Sequence, residues 1–212
     1  MVTEHSMEIN QIRENSLQAA QSIGILINKT LPLIDASVQL RPCGEIFERL
    51  MCLHVVAACA YGFNRKKAQE WLVQEDIAAL TTLEKVFIYD GIGNIEQFKV
   101  QIEAMWALFW ALGLISHLDF SESCNANFVS LLPNLKILQS ASQIKTIVKC
   151  RSLYEIIGAC DLAYCLHWGI QESKITGKIL PNSIHPIVIV ERRKALEWLI
   201  SNDNWDNVSL DT

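Results

Sequence analysis

Apolar residues in this chain recur at helical rather than alternating spacing. Ile9, Ile12, Ala19, Ala20 and Ile23 mark a first helix, with Gly24 as its stop. Residues 28–44 carry Pro32, Pro42 and Gly44 and read as an ordered connection. A second helix is predicted from about Gly44 to Tyr61, with Ile46, Phe47, Leu50, Leu53, Ala57 and Tyr61 inward. Asn64 then caps a short helix through Trp71 and Leu72. Thr81 and Glu84 have capping-box spacing, which predicts another short helix over Leu83 to Tyr89. Asn94 opens a regular seam of Ile95, Phe98, Ile102, Met105, Phe109 and Leu112, predicting one continuous helix that packs centrally. Residues 119–133 look looser, and Ser140 to Cys150 starts a helix that either joins the next or breaks before it. The stretch from Arg151 to Ser173 predicts a long helix, apolar on nearly every side and therefore buried. A loop with Gly177, Pro181 and Pro186 leads to a closing helix that ends near Ile200. Only Ile187 to Val190 hints at a strand, and it is too short to count. The expectation is an all-α fold, a single compact multi-helix domain over residues 1–212, with the polar residues 1–7 a candidate disordered end.

Charges on the buried helix raise the central question. Arg151, Glu155, Asp161 and His167 do not share one face at 3.6 residues per turn, and a buried charge is costly without a partner. One reading completes a polar pocket from this helix with Glu191, Arg192 or Arg193 of the closing helix. The other makes them separate ion pairs that dock the helices and the tail, and scattered faces suit this second reading better. Trp205 with Asp206, and Asp211 near the end, lead to the expectation that the tail folds back, with Arg192 and Arg193 as natural acceptors. His167 invites a general-base role, but no nucleophile is marked nearby, and a satisfied core histidine is the better reading for it and for His54.

Composition narrows the classes. Half of the 212 residues are hydrophobic, which supplies a sizeable core. The net charge of −5 and only two short basic clusters, at 65–67 and 192–194, argue against a nucleic-acid surface. The apolar runs of 50–63 and 104–115 fall short of the about 20 residues a membrane span needs. Seven cysteines form no C-x-x-C pair, and the polar N-terminus is unlike an export signal, so reduced thiols in a cytoplasm are expected. No metal spacing, phosphate loop or nucleophile elbow is present, so no metal, cofactor or catalytic residue is expected.

Several motifs together resemble a known family. They are the Arg151 to Trp168 pattern R-x-x-x-E-x-x-x-x-x-D-L-x-Y-x-L-H-W, E-R-R-x-A-L-x-W-L over Glu191 to Leu199, and W-D-x-V-x-x-D-T over Trp205 to Thr212. Upstream, Leu31-Pro32, Leu40 to Pro42, Glu45 with Arg49, Leu80 to Glu84 and Glu103 to Gly113 extend the pattern over nearly the whole chain. The set resembles DUF4272, a bacterial family of unknown function. That resemblance implies a mostly helical cytoplasmic domain and no assigned reaction. Cys165 and Gly169 depart from it, standing where an arginine and an alanine are expected.

The leading functional expectation is a protein-binding or scaffold module without catalytic activity. The alternative is a small-ligand-binding protein or enzyme that uses a polar pocket between the 151–173 and 191–200 helices. Neither nucleic acid nor membrane is expected as a partner, and oligomeric state is not legible.

Overall fold

Local signals place most helix ends in the computed structural model. It describes residues 2–35, 37–125 and 127–212, with side chains from Met7 onward. The disorder expected at residues 1–7 thus falls largely on side chains outside the described set. Helix α1 spans Val2–Ser22 and ends before Gly24, whose φ of 82° is the left-handed conformation that glycine adopts freely. Helix α2 is Cys43–Ala60, and α3 is Arg65–Gln74 with Asn64 accepting from the Lys67 amide. Helix α4 is Thr82–Asp90, closed at its start by the reciprocal Thr81 and Glu84 capping box.

The seam from Ile95 to Leu112 is not continuous. It divides into α5, Ile95–Val100, and α6, Ile102–Ala111, at Gln101, which is buried with its side-chain oxygen unpartnered. Both pieces pack on α2, and α6 also packs on the closing helix, so the break serves two packing directions. Helix α7, Ser142–Ile147, likewise stops short of the next one.

The long buried helix is α8, Leu153–Thr176, and the closing helix is α9, Pro186–Ile200, with proline in its first turn. Ser152 caps α8 and pairs with Glu155 in a second capping box, so Arg151 lies just outside the helix. At its other end α8 runs three residues past Ser173 and stops at Gly177, whose φ of 70° is left-handed. No strand occurs among the described residues. The result is a compact helical domain in which α8 packs on α9 and α1, and α6 joins α9 to α2.

Gly169 explains one departure from the family pattern. On this face of α8 the Ile25–Leu26 backbone approaches so closely that a methyl at 169 would overlap Ile25 Cγ2 and the Leu26 carbonyl. The expected alanine does not fit here. A second correction concerns the thiols, because Cys43 and Cys150 form a disulfide between the start of α2 and the approach to α8. They lie 107 residues apart in sequence, so no spacing rule reveals the pair. Cys52, Cys59, Cys124, Cys160 and Cys165 are free. Burial pushes the thiols of Cys52, Cys59 and Cys124 up to about 12, which makes them poor nucleophiles.

Candidate functional site

Arginines organise the polar interior, and each reaches a backbone segment as well as a charge. Arg13 on α1 forks onto Asp161 of α8, with Nη2 to Oδ1 at 2.7 Å, and donates to the Leu31 and Pro32 carbonyls. Both partners are almost wholly buried, so each needs the other. Opposing effects act on the Arg13 guanidinium: burial favours its neutral form, while Asp161 outweighs this and holds its pKa above the ordinary value. Nothing in the polar, surface-like sequence around Arg13 distinguishes it from a solvated residue.

Adjacent Arg192 and Arg193 of α9 have different partners. Arg192 donates to Glu103 of α6 through Nε and Nη2, at 3.0 and 2.6 Å. It also holds the Asp119 and Glu122 carbonyls of the loop after α6. Arg193 donates to His167 Nδ1 at 2.7 Å, to Glu197, and to the carbonyls of Leu210 and Asp211. The tail thus folds back on α9, through main-chain oxygens rather than the carboxylate contacts suggested by its acidic sequence.

The contacts of His167 fix its chemistry. A guanidinium only donates, so Nδ1 must accept and the ring proton sits on Nε2. The Gln171 amide nitrogen 3.0 Å away is itself a donor, so this contact is a hydrogen bond with the carboxamide turned to present its oxygen. Burial, then Arg193 and Lys174, lower its pKa to about 4. At neutral pH this imidazole is uncharged, with both nitrogens occupied. His54 is similar: burial takes it to about 4, and its Nε2 donates to the Pro133 carbonyl at 2.9 Å.

The remaining sequence candidates lie apart. Arg151 bonds Glu155 at 2.8 Å and holds the carbonyls of Trp110, Ile115 and Ser116. The Ser152 amide, the Ser152 hydroxyl and Arg151 pull the Glu155 carboxyl below its ordinary range. Burial raises Glu191, and its Oε2 has no partner. The structure therefore brings His167 and Arg193 together with the backbone of Asp211. Asp161, Arg192 and Arg151 go to three other places. Asp206 is exposed, while Trp205 is 2% exposed. Among the described residues no group of His, Cys, Asp and Glu is arranged to hold a metal ion, and no helix is long and apolar enough to cross a membrane.

Trp205 leads to an opening that sequence reasoning missed. A cleft of about 680 Å³ lies between the start of α2, the start of α4 and the end of α9 with its tail. Its walls repeat a cation-on-indole arrangement. The Arg41 guanidinium lies 4.3 Å from the Trp198 ring centroid, Arg49 lies 5.1 Å from Trp205, and the two indoles meet edge-on at 5.6 Å. Arg41 is consumed by Glu45 and by the Trp198 and Asp203 carbonyls. Arg49 forks onto buried Glu84 at 2.5 and 2.7 Å, yet its Nε has no acceptor. The Trp205 indole N–H also lacks one. Two almost fully buried donors without acceptors in one wall are unusual, since each costs about 1–3 kcal/mol. The sequence signals were the L-R-P of Leu40 to Pro42, the E-x-x-x-R of Glu45 and Arg49, and the capping box. Read singly, each points only to a helix end.

Comparison with curated proteins and with solved structures finds no match for this chain. A family model, Domain of unknown function (DUF4272), matches residues 12–208 and so includes every charge pair described above as well as the cleft. The chain belongs to the DUF4272 family.

Proposed function

We propose that this domain works by binding and not by catalysis, and that its binding site is the cleft beside Trp205. One observation carries the reading: the cleft is the place where nearly buried wall donors, Arg49 Nε and Trp205 Nε1, lack acceptors. Elsewhere the arginines singled out by sequence are taken up by structural partners, and His167 is neutral with both nitrogens engaged. That arrangement supports a scaffold interior in which His167 has no lone pair left for general-base work. Of the two occupants considered from sequence, the small ligand fits this opening better than a protein face, because about 680 Å³ lies within the range of small-molecule sites. Its position differs from the pocket expected between the α8 and α9 helices.

Native mass spectrometry after incubation with a small-molecule extract tests the proposal. A bound mass is expected on the parent and is expected to be released chemically unchanged. Leu83→Trp places bulk in the cleft from an exposed position and should remove that mass. Release of a converted compound would overturn the non-catalytic reading. An unaffected mass in Leu83→Trp would move the site elsewhere.

A further inference from the structure

We propose that the α4 end of this cleft, Thr82, Leu83 and Lys85, is a subsite for the phosphoryl group of a small phosphate monoester. The proposal rests on the binding reading above and names the chemistry that the cleft recognises. Helix α4 has nine residues, and its capping box satisfies two donors: Thr81 Oγ1 takes the Glu84 amide, and the Glu84 carboxylate takes the Thr81 amide. The amides of Thr82 and Leu83 remain without acceptors among the described residues. Both residues are exposed and line the cleft. Free amides and the positive end of a helix dipole favour an anion there.

Two further features favour an acceptor here, and the carboxylates on the tail side limit its charge. Lys85 follows on the same helix, exposed to the cleft, with no carboxylate within salt-bridge distance among the described residues. Arg49 and Trp205, 3% and 2% exposed, line the same cleft with unpartnered donors. Both atoms are covered by the wall, so an acceptor in the cleft meets them where Arg49 or Trp205 shifts toward it. Asp203 and Asp206 line the tail side as exposed carboxylates. They oppose added negative charge, which disfavours nucleic acid and polyphosphates most and suits a single phosphoryl group, held at the α4 end beside Lys85, on a neutral or cationic carrier.

The test uses inorganic phosphate as the probe, with acetate and chloride as comparisons at equal ionic strength. Amide resonances of Thr82 and Leu83 and the Trp205 indole resonance are followed in the labelled full chain. Phosphate should shift all three saturably, and the comparison anions should not. Lys85→Gln should weaken binding roughly tenfold through loss of a charge-assisted contact. Thr82→Pro removes one amide donor at a helix position where proline is favoured, behind a Thr81 already extended at ψ 171°. It should weaken phosphate binding with the melting temperature retained, and Asp206→Asn should tighten it. Absence of a saturable shift, or equal affinity in Lys85→Gln and Thr82→Pro, overturns the phosphoryl assignment. If phosphate fails while Leu83→Trp still removes the mass-spectrometric adduct, only this inference falls. If no adduct forms on the parent either, the binding site falls with it.

Discussion

The α8–α9 interior and the cleft beside Trp205 use the same residue types to opposite ends. In the interior, Arg13 meets Asp161, Arg192 meets Glu103, and Arg193 meets His167 and the tail carbonyls. Each guanidinium spreads its fixed fork of donors over a charge or ring and over loop carbonyls, which suits a flat, always-charged group better than an ammonium. Irregular segments are pinned this way at 31–32, 119–122 and 210–211. In the cleft, Arg49 is paired but not saturated, and the Trp205 N–H is unpartnered. A saturated network holds a shape, whereas an unsaturated one beside an opening is available to a ligand. Burial alone does not separate the two cases; the count of unmet donors does.

That contrast breaks most sharply at Asp161. Asp161→Ala strands the Arg13 charge and should cost about 3–5 kcal/mol, lowering the melting temperature by roughly 10 °C. Thermal unfolding at the parent's temperature would remove Asp161 from the structural set. The disulfide ties the rim of the cleft, near Arg41, to the segment before α8. Cys43→Ser should cost about 2–4 kcal/mol in denaturant unfolding without a reductant, and little relative to parent with one.

Protonation attacks the interior through His167. Its folded pKa of about 4 lies below the ordinary unfolded value, so between those values the unfolded chain binds more protons. Stability contributed by the neutral ring is therefore full above about pH 6.5 and is lost as pH falls toward 4, by about 3 kcal/mol. Denaturant unfolding across that range should show the slope, and His167→Gln, which can still accept from Arg193, should flatten it. His54 contributes a similar slope that the variant leaves in place. Gly169→Ala should cost about 3 kcal/mol by overpacking against Ile25 and the Leu26 carbonyl. Lys85→Gln and Leu83→Trp, both exposed at the cleft, should change stability by no more than about 0.5 kcal/mol. A large loss of stability in either would make the cleft part of the structural network and erase the contrast.

Legibility followed the range of the interactions. Capping by Asn64, Thr81 and Asn94 was readable because a cap acts within three residues. Ser152 and Glu155 had the same spacing, but the apolar run hid it and placed Arg151 inside the helix. The break at Gln101 was invisible, since periodicity records which faces are apolar and not which neighbours compete for them. At the candidate site the polar residues of α8 and α9 were visible as costly charges. Their partners Arg13 and Glu103 were not, lying 148 and 89 residues away along the chain.

By itself the sequence determined the helical class, most helix ends, and the presence of charges that must be compensated. These follow from local propensity and from the cost of desolvating a charge, neither of which depends on where distant segments lie. Only the tertiary structure decided which charges meet, that Cys43 joins Cys150, that residue 169 must be glycine, and where donors remain unmet. Those outcomes depend on distances between segments far apart in the chain, and a helical pattern is the same whichever neighbour it packs against.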